Sequence, residues 1–138
     1  MASILKVDEL QGIATANDIT VTVGATITMS LEQGLAKCWL NYAGSGTTFN
    51  DSNGVSSATD NGLGDYTYSF TSNMSNANYA ICATAENSSA GAAAISAVPA
   101  GDEQFTSSFN VENGYTSTAP AYLNFDCRSY ASIFGDLA

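Results

Sequence analysis

The sequence predicts an all-β protein, an antiparallel two-sheet sandwich or jelly roll with an extended N-terminal arm. Apolar and polar residues alternate in several segments, Gly, Asn and Asp separate those segments, and no strand–helix–strand alternation is visible. Alternation with period two places one face of a strand in a core and the other in water. Twelve Gly residues supply the positive-φ positions that tight turns require.

The longest alternating run begins at Ile19 and ends at Ser30. At about 3.3 Å per residue it would extend roughly 40 Å, which exceeds a usual strand. We expect either a bend into two strands around Gly24 or an arm that pairs outside its own domain, and we favour a bend followed by an interface strand. Ser30 and Gln33 form a capping signal that permits about one helical turn. The predicted domains are an arm with an interface strand over 1–30 and a β domain over 31–138.

Later strands follow from the same alternation. In the segment 36–43, Cys38, Leu40 and Tyr42 share one parity, and the opposite face, with Trp39, should be partly wet or face a neighbouring subunit. Hairpin loops are predicted at Asn53-Gly54 and at 60–62. The nearly all-small run 90–100 suits an edge strand or a close subunit contact. Further strands are predicted at 47–49, 55–59, 66–71, 79–84, 105–111, 123–127 and near 133–135.

The charge balance limits the partners. Three Lys and Arg residues against thirteen Asp and Glu residues give a formal charge of −10. This charge repels phosphate backbones and anionic headgroups, so we expect no nucleic acid partner and no membrane partner. Self-association also requires that the carboxylates point outward or meet a cation or a basic partner.

The three cysteines are widely spaced and odd in number, without the pattern of a zinc site or a disulfide scaffold. Cys38, Cys82 and Cys127 are therefore interpreted as buried free thiols made in a reducing cytoplasm. The first residues reach Lys6 without an apolar stretch, and no segment approaches the length of a membrane span. We expect neither signal-directed export nor a membrane anchor.

Catalysis is not expected. The sequence contains no histidine, which excludes Ser-His-Asp and Cys-His mechanisms and His-bearing zinc sites. The segment Gly44-Ser45-Gly46 is too short for a nucleophile elbow and is interpreted as a turn. Paired carboxylates hydrolyse glycosides, but no spacing in this sequence identifies such a pair. The chain is predicted to be no enzyme and to hold no cofactor.

Two groups of residues leave a choice between a structural and a binding role. Oxygen-bearing side chains at Asp51, Asn53, Asp60, Asn61 and Asp65 suit Asx turns or a bound hard cation, and the turns are favoured because the closing Glu of a calcium loop is missing. The second group is aromatic: the side chains of Trp39, Tyr42 and Tyr115 suit either a position in a core or interface or stacking on a sugar ring. The core or interface position is favoured.

Two parts of the chain resemble phage virion proteins. The segments SILKVDELQG (3–12) and LEQGLAKCW (31–39) resemble the start of virion proteins from marine and cyanobacterial tailed phages. The segments LNYAGSGT (40–47) and VSSATDNGLGDYTYSF (55–70), followed by Asn78-Tyr79, are similar to a module of phage tail-fibre and decoration proteins. Together they cover about a third of the chain, and the second, long ordered run is the more specific.

The resemblance implies a trimeric jelly-roll head similar to tumour necrosis factor and C1q heads. A fibre or tailspike needs a long shaft before its head, and too few residues precede the module here for one. We therefore expect a capsid decoration (cement) protein on the virion exterior, a homotrimer that binds the major capsid protein and stabilises the head. The alternative is a tail-fibre or tailspike receptor-binding head. Interface residues are predicted on the arm, on the first β-strand and at one later aromatic position, because alternating exposed strands suit strand addition. These residues are Ile4, Leu5, Val7, Ile19, Val21, Val23, Ile27 and Trp39.

Overall fold

The computed structural model describes residues 7, 9–10, 19–23, 26–86, 94–99, 104–116 and 122–138, and the side chains of Val23, Thr116 and Tyr122 are not described. Within these residues the elements are antiparallel strands and one helical turn, which confirms the all-β prediction. The elements are β1 (Thr20–Val23), β2 (Ile27–Ser30), α1 (Leu31–Gly34), β3 (Cys38–Tyr42), β4 (Phe49–Asn53), β5 (Val55–Gly62), β6 (Asp65–Phe70), β7 (Ala80–Ala85), β8 (Ala94–Ala97), β9 (Ser108–Thr116), β10 (Tyr122–Asn124) and β11 (Ser129–Phe134).

The chain divides into two units, Met1–Leu35 and Ala36–Ala138. In the first unit β1 and β2 pair antiparallel, with Thr20 opposite Ser30 and Val23 opposite Ile27. The predicted bend of the alternating run into two strands is therefore confirmed. The predicted helical turn is also confirmed, since the Ser30 side chain accepts a hydrogen bond from the Gln33 N–H at 3.3 Å.

The second unit contains two antiparallel sheets. One has the strand order β4-β3-β11-β7. The other has the order β10-β9-β6-β5, and β8 also pairs with β9. Among the described strands β8 pairs with β9 alone, which agrees with the predicted edge strand in the small-residue run.

Side chains of the two sheets meet in one core. Cys38, Leu40 and Tyr42 of β3 point inward, as their parity predicts, and are at most 2% exposed. The Tyr42 ring lies 4.9 Å from Tyr66 and 5.5 Å from Tyr68 between ring centroids, in edge-to-face arrangements across the sheets. The buried core comprises Cys38, Leu40, Tyr42, Ala58, Tyr66, Tyr68, Phe70, Met74, Tyr79, Phe109, Val111, Ala131 and Ile133.

The turns correct two sequence predictions. The Asn53-Gly54 loop is not a hairpin, because β4 and β5 belong to different sheets. Gly54 has φ +73, and a Cβ there would lie 2.8 Å from the Lys37 carbonyl oxygen, so the crossover itself requires glycine. The second hairpin joins β5 to β6 with Gly62 opposite Asp65, so its turn lies after the predicted 60–62 signal.

Several predicted strands also have different bounds. The strand expected at 47–49 is β4, at Phe49–Asn53. Phe105 precedes β9 and Cys127 follows β10, so neither lies in a strand. Both segments alternate in sequence, but alternation alone does not show where backbone pairing stops.

Candidate interaction surfaces

The β1–β2 hairpin of the first unit has one apolar and one hydroxyl-bearing face. Directly paired residues of antiparallel strands share a face. Val21 pairs with Met29 and Val23 with Ile27, whereas Thr22 pairs with Thr28 on the other face. Ile27 is 68% exposed and Met29 is 52% exposed. An apolar strand face is therefore left open to solvent in this unit.

The predicted interface residues are only partly brought together. Ile4 and Leu5 lie outside the described residues, as does the side chain of Val23. Ile19 and Val21 are partly buried, and Val7 is 56% exposed. Ile27 shares the apolar hairpin face with Val21, whereas Trp39 belongs to the second unit and is 41% exposed.

Trp39 is part of a second surface, on the side of the four-stranded sheet that points away from the core. Ser132 of β11 pairs with Trp39 on one side and with Cys82 of β7 on the other, so these three side chains form a row. Tyr130 forms the next row with Asn41 and Thr84. We call the outward residues of β3, β11 and β7 the outer face; its members are Trp39, Asn41, Ala80, Cys82, Thr84, Tyr130, Ser132 and Phe134.

An open groove of about 360 Å³ runs along β7 and β11 on this sheet. The outward side chains of Ser132 and Cys82, which lie opposite each other, form part of it, and Ala83 and Ala131, whose side chains point toward the core, line it from the strand backbones. Thr84 and Tyr130 complete its lining. Trp39 projects from β3, which is the neighbour of β11 on the side away from β7. The outer face thus places a large exposed aromatic side chain next to a groove lined mostly by small residues.

The outer face carries no ionisable acid or base other than the Cys82 thiol and the Tyr130 phenol, although the whole chain has a formal charge of −10. Charges begin at its borders. Asp51 of β4 pairs with Asn41, and beyond Tyr130 the Arg128 guanidinium contacts the Glu86 carboxylate at 2.8 Å. Both members of that ion pair are more than 40% exposed, so it contributes little to stability.

Two of the described carboxylates accept hydrogen bonds in turns and between strands. The Asp60 carboxylate accepts a hydrogen bond from the Gly62 N–H at 3.1 Å, as expected for an Asx turn. The Asp126 carboxylate accepts from the Gly64 N–H at 2.7 Å and from the Tyr66 hydroxyl at 2.9 Å. Burial, and then the Asp126 carboxylate, raise the pKa of Tyr66. Within the described residues no group of three or more His, Cys, Asp or Glu side chains is arranged to hold a metal ion.

The cysteines differ in exposure. Burial raises the pKa of the Cys38 thiol from 9.0 to about 12, and burial also raises the pKa of Cys127. All three are free thiols, but the prediction that all are buried is wrong for Cys82, which is exposed. The alternation of β7 causes the difference, because residues 80, 82 and 84 point outward.

Of the three aromatic residues considered for sugar stacking, only Trp39 presents an accessible ring. Tyr42 is fully buried and belongs to the core. The Tyr115 ring is partly buried and packs edge-on against Phe125 at 6.0 Å between centroids.

The groove residues Cys82, Thr84, Tyr130 and Ser132 were not predicted as site residues. The alternation in 80–84 and 129–134 indicates which side chains face outward. It does not indicate that these two segments are neighbours, because cross-strand pairing depends on the whole fold.

Comparison with known proteins gave no match to a family model, to a curated protein or to a solved structure. Among the described residues, no helix has the length and apolar character needed to cross a membrane.

Proposed function

We propose that this chain is a capsid decoration protein of a tailed phage. It forms a homotrimer on the outer capsid surface, binds the major capsid protein through its N-terminal unit and stabilises the head. The proposal joins the resemblance of segments 3–12, 31–47 and 55–70 to virion proteins with the architecture and exposed surfaces of the two units.

The strand pairing of the second unit supports a jelly roll. Its first and last strands, β3 and β11, pair in one sheet. The strands inside them in sequence, β6 and β9, pair in the other sheet. Such nested antiparallel pairs, alternating between two sheets that share one core, are typical of Greek-key and jelly-roll topologies.

The exposed apolar face of the β1–β2 hairpin is the observation that carries the attachment role. A two-stranded hairpin is at best marginally stable in water unless a further strand or packed surface supports it. Here the side chains of Ile27 and Met29 form an apolar surface on which a supporting partner can pack, and both are more than half exposed. Burying them against a capsid subunit would stabilise the hairpin and attach the chain at the same time.

A binding experiment with matched hairpin variants tests this role. Ile27→Thr with Met29→Thr removes the apolar side chains and keeps residues suited to a strand. We expect the double variant to lose most of its binding to purified heads that lack the protein, measured by co-sedimentation. Its thermal unfolding should match that of the unmodified chain, since neither residue belongs to the core of the second unit.

The control changes the opposite hairpin face. Thr22→Ser with Thr28→Ser preserves the hydroxyl groups and should leave head binding intact. Equal binding by the Ile27/Met29 variant and the unmodified chain would overturn attachment through this face.

A further inference from the structure

We propose that Trp39 of one copy inserts into the β7–β11 groove of a second copy, so that the homotrimer assembles through the outer face. This inference rests on the self-association included in the proposed function and specifies the contact that produces it. The residues of the contact are Trp39 on one copy and Cys82, Thr84, Tyr130 and Ser132 on the other.

The charge distribution favours a second copy as the occupant. Two copies of a chain with a formal charge of −10 repel each other, and the repulsion is weakest when they meet through surfaces without carboxylates. The outer face is such a surface, because the outward residues of β3, β11 and β7 include no Asp or Glu. Contact through this face buries no carboxylate, so it avoids the free-energy cost of desolvating one.

The exposure of Trp39 also favours it as the contact residue. Trp39 is 41% exposed, and tryptophan is among the residues that most often dominate binding energy at the centre of an interface. The groove is open to solvent and is lined mostly by small residues, so an aromatic ring can lie on it without meeting a large side chain other than Tyr130. Ser132 and Tyr130 line the groove, and a hydroxyl group is a suitable acceptor for the indole N–H.

Trp39 does not line the groove of its own copy, although it pairs directly with the groove residue Ser132. Trp39 and Cys82 lie on strands separated by β11, so their backbones are about 10 Å apart at the usual spacing between strands. Outward side chains of strands stand roughly perpendicular to the sheet. We therefore place the Trp39 ring in the groove of a second copy.

This separation provides a direct test by disulfide trapping. In an Asn41→Cys variant, which keeps Trp39, the introduced thiol lies on the same face of β3, and Cys82 of the same copy lies on a strand beyond β11, farther away than the roughly 7 Å limit for a disulfide between Cα atoms. Mild oxidation should therefore link the introduced thiol of one copy to Cys82 of the next and give covalent trimers on a non-reducing gel. The same variant with Cys82→Ser should give none. Cross-links that persist without Cys82, or covalent species that stop at dimers, would overturn the proposed trimer contact.

A second measurement needs no introduced cysteine. Cys82 is exposed whereas Cys38 and Cys127 are buried, so a thiol reagent reports on the groove. Labelling of Cys82 should slow as the protein concentration rises, and the fluorescence of the single tryptophan should shift to shorter wavelength. Trp39→Ala should weaken self-association by about 30-fold or more, as expected when an interface residue that contributes about 2 kcal/mol is lost.

The outcomes separate the two proposals. A monomer by light scattering at all concentrations would contradict the trimer and the proposed function. The protein can also prove to be a trimer in which the thiol reagent labels Cys82 as fast as in the monomeric Trp39→Ala variant. That result would overturn only the groove contact. The β8 edge, where Ile95 is 37% exposed, would then be the next surface to test.

Discussion

Gly64 holds the turn between β5 and β6 against the neighbouring strand β9. Its φ is +71, and its carbonyl oxygen accepts a hydrogen bond from the Asn113 N–H at 2.7 Å. A Cβ at this position would lie 2.3 Å from the Asn113 carbonyl oxygen and 2.7 Å from the Phe125 nitrogen. Both contacts are with backbone, so the clash cannot be relieved by a side-chain rotation.

Gly64→Ala should therefore destabilise the protein by more than about 3 kcal/mol, at the upper end of single substitutions. The matched control is Gly46→Ala, which has φ +68 but no atom within 4 Å of the added Cβ. That change should cost only the backbone strain, about 1–2 kcal/mol. Urea unfolding measures the free energy of unfolding of both variants. Equal losses of stability would show that the close approach at Gly64 does not constrain the fold.

Buried thiol and phenol groups make the fold sensitive to alkali. Burial raises the pKa of Cys38 from 9.0 to about 12 and that of Tyr79 from 10.0 to about 12. At a pH between the lower pKa of the unfolded chain and the higher pKa of the folded chain, these groups have lost their protons in the unfolded chain and keep them in the folded chain. The unfolded state then binds fewer protons, so the free energy of unfolding falls as the pH rises from 9.0 toward 12.

The urea midpoint should accordingly stay level up to pH 9.0 and then decline. Cys38→Ala should be less stable below pH 9.0 because it leaves a small cavity, but its decline just above pH 9.0 should be shallower. Cys82→Ala is the control, because that side chain is exposed. A midpoint that does not change between pH 9.0 and 12 would contradict the account of these groups.

At the scale of elements, a buried polar chain connects the two sheets. The Ser96 hydroxyl of β8 donates to the Asn113 side-chain oxygen of β9 at 2.7 Å. The Asn113 amide in turn donates to the Ser129 hydroxyl of β11 at 2.6 Å. Asn113 and Ser129 are at most 1% exposed. Because such a network is satisfied only when the three strands are in register, it favours this one arrangement of the sheets.

Asn113→Ala should cost about 2–4 kcal/mol, because it leaves a cavity and removes a hydrogen-bond partner from two hydroxyl groups. The comparison is Asn50→Ala, which removes an exposed hydrogen bond to Asn41 and should change stability by less than about 0.5 kcal/mol. Thermal unfolding of both variants provides the test. An Asn113 variant as stable as the Asn50 variant would mean that the network does not stabilise the packing of the sheets.

The elements also show what the sequence could predict. Strands β3 and β6 were predicted because their alternation is regular and one parity carries large apolar residues. The connection through Asn53-Gly54 was mispredicted as a hairpin, because a positive-φ glycine serves a crossover as well as a tight turn. The sheet that a strand enters depends on pairing with distant segments, and short-range sequence signals carry no information about it.

At the scale of the whole molecule, the net charge of −10 opposes the self-association proposed for the outer face. Salt screens this repulsion, since the Debye length falls from about 30 Å at 0.01 M to about 8 Å at 0.15 M. Assembly through an uncharged face should therefore tighten as salt rises over this range, and light scattering at several protein concentrations should show it.

Asp51→Asn provides the control for the salt effect, because Asp51 borders the outer face through its pairing with Asn41. Removing this carboxylate should strengthen association most at low salt. Association that weakens with added salt would indicate an interface held by ion pairs and would contradict assembly through the outer face.

The candidate surfaces were predicted in part. Trp39 was predicted as an interface residue from its parity opposite the core residues of β3, and it is exposed on the outer face. The hairpin residues Val21 and Ile27 were likewise predicted from alternation. The groove could not be predicted, because β7 and β11 are distant in sequence and become neighbours only through the closure of the four-stranded sheet.

The stoichiometry of the protein in purified virions tests the decoration role most directly. Quantitative gel densitometry against the major capsid protein, with electron microscopy of the same particles, gives both copy number and position. We predict many copies in a fixed ratio to the major capsid protein, as three-lobed densities on the outer shell. A few copies confined to the tail, or none in the particle, would contradict the account.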